Sequence, residues 1–358
     1  MNIASLFGLY TRPNPTPRDY LLGMEFELED VSDEVDTPEY YEVHGDGSLR
    51  NGAEYVFKEP LAGEHVISAI EVMEEFMDEH DFEVSERTST HIHINMSDAG
   101  STAALCSTMF ALVYMIEPAI FRAADENRKW CGYCQPLSDM PQQRVLDLMS
   151  EDTGSFRNGV YGESASDRYF GLNMRSLSRH GTIEFRYFPG WVDKDTTISW
   201  VNLVTEIRAA AEAIGSVSNV LSLGASAVSL RGILQEVMKS SYSMISDRME
   251  DSEIERRAAH LSAILASSDV PLAVTTTRLA SVTAGSSMDK FIAAQYGISL
   301  SSDGRKVMIL AEIVRDGHLS PDLVADLESV LSTTSEPDFF NLFVSTINDA
   351  RERAIHSL

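Results

Sequence analysis

A short segment near the N-terminus alternates apolar and acidic residues. Positions 23–29 read Gly-Met-Glu-Phe-Glu-Leu-Glu. Successive side chains of a β-strand point to opposite faces, so a strand here would carry three carboxylates on one face and three apolar side chains on the other. Carboxylates this close repel one another unless a cation, basic groups or water lies between them. The segment is therefore a candidate Mg²⁺ site, and a solvated face of an edge strand is the alternative.

The rest of the N-terminal part alternates between short strands and helices. The pattern predicts strands at 20–29, 40–44, 53–58, 90–96, 168–174 and 181–188. It predicts helices at 64–79, 103–123 and 196–214, with a kink or break in the second at Glu117-Pro118. The stretch 127–167 is polar and is predicted to be irregular. These elements indicate an α+β fold with helices flanking the sheet.

The composition changes past Gly215. Serine, glycine and alanine become frequent through 216–229, and the pattern is helical afterwards. The predicted helices cover 229–240, 252–266, 288–296, 305–315, 320–331 and 337–355. We therefore predict two domains, a catalytic domain at 1–215 and an all-α domain of unknown role at 216–358. The second domain is a candidate surface for homo-oligomerisation.

The net charge of the chain limits which classes of partner are expected. The chain has 358 residues and is 44% hydrophobic, with 55 acidic and 28 basic residues and a net charge of -27. Such a surface repels nucleic acids and anionic membranes, so neither is an expected partner, and it attracts cationic amines. The three cysteines, the lack of an N-terminal leader pattern and the lack of long uninterrupted apolar runs predict a soluble, cytoplasmic protein.

Three further segments place polar groups on predicted strands or turns. Asp46-Gly47-Ser48 reads as a turn, and Glu54 follows it on a strand. His91 and His93 share one strand face, which suits either metal ligation or hydrogen bonding in the core. Glu184 and Arg186 also share a face, as an internal ion pair or as a metal ligand beside a phosphate-binding guanidinium.

Six motifs in order resemble the amidoligase family of the carboxylate-amine ligase superfamily, which includes glutamine synthetase and glutamate-cysteine ligase. They are G-M-E-F-E-L-E, D-G-S-L-R-N-G-A-E-Y, T-H-I-H-I-N, N-R-K-W-C-G-Y-C-Q-P, R-Y-F-G-L-N and T-I-E-F-R-Y-F, and they span about 20–210. The resemblance implies a curved antiparallel sheet of the glutamine synthetase-like fold that binds ATP and Mg²⁺, with Mn²⁺ as an alternative ion. It implies amide formation from a carboxylate and an amine through an acyl phosphate.

The resemblance also implies roles for individual residues. Those matching the family's metal ligands are Glu25, Glu27, Glu54, His93 and Glu184, with His91 as an alternative to His93. Arg186 matches the arginine that faces the transferred phosphoryl group, so Arg186 and Glu184 are the expected catalytic residues. Arg128, Arg168 and Asn173 match positions near the bound substrate and nucleotide.

Other functions remain open on the sequence. One alternative is a metal-dependent hydrolase that uses the histidine and glutamate side chains without ATP. Another is a non-catalytic structural protein that keeps the fold. The sequence identifies neither the carboxylate nor the amine, and a polyamine, an amino acid and a peptide are all candidates for the amine.

Overall fold

The polar and apolar alternation builds one open antiparallel sheet. The computed structural model describes residues 1–16, 19–30, 37–47, 49–150, 152–162 and 164–267. Its strands are β1 (Leu22–Leu28), β2 (Tyr41–Gly45), β3 (Ala53–Phe57), β4 (Ser89–Asn95), β5 (Leu172–Asn173) and β6 (Thr182–Pro189). They are arranged in the order β2-β3-β1-β4-β6-β5, with antiparallel pairing throughout. The class is therefore mixed helix and sheet, and the predicted curved, glutamine synthetase-like form stays a prediction.

Seven α-helices accompany this sheet among the described residues up to Ile214. They are α1 (Ile3–Phe7), α2 (Glu64–Glu79), α3 (Ala103–Ala124), α4 (Gln142–Leu148), α5 (Thr153–Tyr161), α6 (Ser176–Arg179) and α7 (Lys194–Ile214). Helix α3 packs on β6 and α7, and α7 packs on β4 and α2. The core includes Met24 and Phe26 from β1 and Phe185 from β6, none of which is exposed.

Helix α3 is continuous through Glu117-Pro118, so a break is wrong, and the kink predicted as its alternative stays a prediction. Proline has no N–H, which leaves the carbonyl of the residue four positions earlier without its helical hydrogen bond. That carbonyl belongs to Tyr114, and Arg257 Nη1 donates to it at 2.8 Å. A side chain from elsewhere in the fold thus supplies the missing donor. The helix is long and apolar enough to cross a membrane, but 83% of its apolar stretch is buried in the core.

The polar stretch predicted to be irregular contains two helices, α4 and α5. Asp152 caps α5 by accepting a hydrogen bond from the Ser155 N–H at 2.7 Å. The predicted strand at 168–174 is shorter in the structure: Arg168 and Tyr169 belong to a 3₁₀ helix, Ala165–Tyr169, and only Leu172–Asn173 pairs with β6. Ser164 begins that 3₁₀ helix with a capping box, which favours a helical turn over an extended strand.

Four more helices follow the change in composition at 216. They are α8 (Val217–Gly224), α9 (Ala227–Val237), α10 (Tyr242–Ser246) and α11 (Asp251–Ala266). Helices α8, α10 and α11 pack on α3, within one compact unit that spans Met1–Val270. The helices predicted at 288–296, 305–315, 320–331 and 337–355 lie outside the described residues. The domain at 216–358 and its role in oligomerisation therefore stay predictions.

Candidate functional site

Strand register collects the predicted polar residues on one face of the sheet. Residues directly opposite each other in an antiparallel pair point to the same side. Glu27 lies opposite Glu54, and Glu25 lies opposite His91. On the other side of β4, His93 lies opposite Glu184, which in turn lies opposite Asn173. Side chains from five strands therefore meet on one surface.

Glu25 is the centre of this cluster. Its two carboxylate oxygens lie 3.0 Å from His91 Nδ1 and 3.0 Å from His93 Nε2. Glu184 approaches both rings, at 3.6 Å from His91 Nδ1 and 3.9 Å from His93 Nε2. The sequence left open which histidine belongs to the site, and the structure brings both of them to it.

The donor atoms form two groups that could each hold a metal ion. One group is Glu25, Glu54 and His91, and the other is Glu25, His93 and Glu184, with ligand atoms in each group within 4.8 Å of one another. Buried His93 Nε2 lies between the Glu25 and Glu184 carboxylates, so it could bind an ion held by both of them once it releases its proton. Carboxylate oxygens with imidazole suit Mg²⁺ or Mn²⁺. The residues present therefore fit the implied ions.

Glu27 is the predicted ligand that lies outside both groups. It is 5% exposed, and its carboxylate accepts a hydrogen bond from the Ser89 hydroxyl. His91 Nε2 lies 3.9 Å from it and 2.8 Å from Ser89 Oγ. Glu27 and Ser89 thus hold the second nitrogen of the His91 ring, which fixes the direction of the first. Its role as a metal ligand stays a prediction.

Burial and mutual charge shift the pKa values of the cluster. Burial and the neighbouring Glu25 carboxylate raise the pKa of Glu54 to about 8. Burial opposes the charge on His93, but Glu25 and Glu184 outweigh it and raise the pKa of His93 to about 9. Burial also opposes ionisation of Glu25, yet the two histidines hold its pKa well below the ordinary value.

Arg186 lies beside the cluster and is held in place from several sides. Its guanidinium pairs with the Glu184 carboxylate, and its Nε donates to the Tyr133 carbonyl at 3.2 Å. The Tyr169 ring lies 5.8 Å from the guanidinium carbon. The nearby Glu184 carboxylate counters the effect of burial and raises the pKa of Arg186, so it is permanently cationic.

The other predicted residues divide between the site and its support. Arg168 and Asn173 line the cleft, and Asn173 Nδ2 donates to Glu184 at 2.5 Å. Arg128 is not among the lining residues. Its guanidinium donates to the Thr88 carbonyl at 3.0 Å and the Arg186 carbonyl at 3.4 Å, so it links the residue before β4 to the interior of β6. Its assignment to cofactor binding stays a prediction.

The cleft has a volume of about 270 Å³ and contains residues that the sequence motifs did not single out. They include Arg87, Arg175, Arg179 and His180. Arg179 belongs to α6, which is a helix of one turn, and Arg175 and His180 are the residues that flank it. Such a short helix leaves little periodicity to detect, although the R-x-x-x-R-H spacing places the two arginines on the same side of one helical turn.

Two other residues of the sequence motifs, Glu29 and Cys134, are buried in the fold. Glu29 is 3% exposed, and its carboxylate accepts the Arg50 N–H at 2.7 Å, so it is not a solvated end of the acidic strand. In the Cys131–Cys134 motif, burial raises the pKa of Cys134 to about 12. A thiol with that pKa is a poor nucleophile.

Comparison with protein families agrees with this site. Residues 55–208 match a family model described as "Putative amidoligase enzyme". The match confirms the resemblance predicted from the motifs, and it supports an enzyme of the ligase type. It includes β4 and β6 with both histidines, Glu184 and Arg186, whereas β1 with Glu25 and Glu27 precedes it. No curated protein matched the chain.

Proposed function

We propose that this chain, whose residues 55–208 match the amidoligase family, is an ATP-dependent ligase that joins a carboxylate to an amine. ATP and Mg²⁺, or Mn²⁺ in its place, are the proposed cofactors. The observation that carries the proposal is the cluster in which Glu25 is shared by two ligand groups, with Arg186 paired to one member. Phosphoryl transfer depends mainly on positioning and on neutralising phosphate charge, and this cluster supplies both means.

Two sets of side chains would hold the ions. Glu25, Glu54 and His91 would bind one, and Glu25, His93 and Glu184 would bind the other. Bound magnesium would neutralise the negative charge of the nucleotide phosphates. The raised pKa values of Glu54 and His93 favour their protonated forms at neutral pH in the metal-free protein, so each would release a proton on becoming a ligand.

The chain's own residues then have defined tasks. The Arg186 guanidinium would stabilise the charge on the γ-phosphoryl group of ATP as the substrate carboxylate attacks its phosphorus, the bond to the β-phosphate oxygen breaks and ADP leaves. Glu184 and the Tyr133 carbonyl hold that guanidinium in place. The amine would attack the resulting acyl phosphate at its carbonyl carbon, which forms the amide and releases phosphate. No protein nucleophile is needed in either step.

The proposal is tested by phosphate release. The protein is incubated with ATP, Mg²⁺, a panel of carboxylic acids and a panel of amines. Phosphate release should need both an acid and an amine, and Glu184→Gln should abolish it, because that variant loses both a ligand and the partner of Arg186. Glu236→Gln, an exposed carboxylate on α9, is the matched control and should keep full activity. Amide formation without ATP would refute the proposal.

A metal-dependent hydrolase is the second candidate. The observation that favours it is the presence of two adjacent ligand groups that share Glu25, since many hydrolytic enzymes use two metal ions. The same incubation separates the two functions, because a hydrolase would consume an amide or phosphate ester with metal alone. Failure of both reactions across the panels would instead favour the non-catalytic protein.

A further inference from the structure

Three arginines form a cationic rim on one side of the cleft. We call Arg168, Arg175 and Arg179 the arginine arc. They lie between the end of the 3₁₀ helix and the end of α6, and all three line the cleft. Arg168 and Arg179 are exposed and Arg175 is half-buried. The arc therefore faces solvent at the mouth, whereas the carboxylate and histidine cluster lies below it.

The arc has no carboxylate partner in the part of the chain that the structure describes. Arg168 Nη2 donates to its neighbour's Tyr169 hydroxyl at 2.7 Å, and its guanidinium carbon lies 4.8 Å from that ring. Arg175 Nη1 donates to the Ser164 carbonyl at 2.6 Å. By contrast, six arginines outside the cleft lie within 4.0 Å of a carboxylate: Arg122, Arg144, Arg208, Arg231, Arg256 and Arg257.

This arrangement opposes the charge of the whole chain. Acidic residues outnumber basic ones 55 to 28 in the sequence, yet the cleft is lined by five arginines and five carboxylates. Four of those carboxylates come from strands β1, β3 and β6. Glu25 and Glu27 lie near His91, Glu184 pairs with Arg186, and Glu54 lies opposite Glu27. The fifth is Asp46. No carboxylate among the described residues lies within 4.0 Å of the arginine arc, and guanidinium groups so placed bind carboxylates and phosphates through paired donors.

We propose that the acid substrate carries at least one anionic group besides the carboxylate that is activated, and that the arginine arc binds it. The class is a polycarboxylate, such as an acidic peptide. This inference rests on the proposed ligase function and deepens it. Net charge alone favours a cationic ligand, but the ligand is selected by the charge that lines the cleft, not by the average over the surface.

The proposed anion site and the nucleotide site lie at different depths in the cleft. Arg186, which would meet the transferred phosphoryl group, is 9% exposed, and Glu184 is 5% exposed. The triphosphate oxygens must reach that buried floor for transfer to occur. The arc lies at the exposed mouth, so its donors remain available to a part of the acid that lies away from the reacting carboxylate.

Chemical footprinting tests the inference without requiring turnover. Phenylglyoxal modifies accessible arginines, and peptide mass spectrometry reads modification at each position. The probes are two matched pairs: glutarate with its half-amide glutaramate, and tetraglutamate with tetraglutamine. Each anionic member should protect Arg175 and Arg179 more than its amide partner does. Arg157, which is exposed and lies 5.9 Å from the Tyr161 ring outside the cleft, is the internal control and should be modified equally in all samples.

Two results would overturn the inference. One is that neither anionic probe protects the arc better than its amide partner. The other is that Mg-ATP alone protects the arc as well as the anionic probes do, which would assign it to the triphosphate. Because the footprint needs no reaction, a protein that failed as a ligase could still show anion binding, and the two proposals fail separately.

Kinetics on an active acid provides the second test. Loss of one charge-assisted contact should raise the KM for the acid about 10-fold or more in Arg179→Gln. The KM for ATP and kcat should change little, because the contact is the same in the ground state and in the transition state. Arg157→Gln is the matched control. A rise in the KM for ATP with an unchanged KM for the acid would contradict the assignment.

Discussion

Arg257 reaches from α11 into the core beneath the site, and its removal should destabilise the protein in a pH-dependent way. Its Nη1 contacts the Tyr114 carbonyl at 2.8 Å and Glu117 Oε2 at 3.3 Å. Glu117 is fully buried, and it also accepts the Leu137 N–H and the Tyr187 hydroxyl. Arg257→Gln would thus remove the cation beside a buried carboxylate and the donor that compensates for Pro118.

The pH dependence of this loss of stability follows from the pKa of Glu117. Burial raises it from 4.5 to about 7, with Arg257 opposing the rise. A carboxyl whose pKa is raised on folding gives stability below its unfolded pKa, and this contribution is lost as pH rises through the folded pKa. Without Arg257 the folded pKa is higher still, so stability continues to fall above pH 7. The variant should therefore be penalised more at pH 8 than at pH 5.

The size of the loss can be worked from the structure. A charge pair at 3.3 Å is worth about 5 kcal/mol at an effective dielectric constant of about 20, which is an upper bound because the guanidinium charge is spread out. Leaving a buried charge unpaired costs about 3 kcal/mol or more. At pH 5 Glu117 holds a proton, and only the lost hydrogen bond to Tyr114 remains, at about 1 kcal/mol.

Thermal unfolding followed by circular dichroism measures this. For a unit of this size we expect the midpoint to fall by roughly 6–12 °C at pH 8 and by about 2–4 °C at pH 5. Arg256→Gln is the control, since this neighbour on α11 has a partly exposed ion pair with Glu253 at 3.8 Å, and its loss should change the midpoint by a similar, small amount at both pH values. Adding Glu117→Gln to Arg257→Gln should recover part of the loss at pH 8. Equal losses at both pH values would refute the reasoning.

Three further predictions concern the site and its support. Arg186→Gln should lower ligase turnover by about 10² because a transition-state charge is lost, whereas Arg157→Gln should not; a near-normal rate for the first variant would reject the role of Arg186. Glu25→Gln should weaken Mn²⁺ binding at both ligand groups in calorimetry, since both share this residue, and unchanged stoichiometry and affinity would contradict the shared site. Gly181→Ala should lower the unfolding midpoint, at a cost of about 1–3 kcal/mol. The reason is that Gly181 has φ +68° and a Cβ there would lie 2.8 Å from Ser97 Cβ. Gly45→Ala is the control, since no atom lies within 4 Å of a Cβ at that position.

The regular elements near the site follow from local patterns. The alternation in β1 and the i, i+3, i+4 spacing in α2 fix which side chains share a face, because each repeat is set by backbone geometry alone. Helix α2 begins and ends where its pattern predicts, at Glu64 and Glu79. Elements that depend on capping were harder to predict. Helices α4 and α5 are short and polar, and the 3₁₀ helix Ala165–Tyr169 takes the first two residues of a predicted strand.

The sequence by itself pointed to Glu25, His93, Glu184 and Arg186 as candidates for the site, through the alternating motifs and the family resemblance. Only the tertiary structure decided how they combine. Strand register brings both histidines to Glu25 and leaves Glu27 against Ser89. Long-range packing also places α6 at the mouth of the cleft and brings Arg257 to Glu117. Those contacts join segments far apart in the chain, and no local pattern records the partner that a side chain meets after folding.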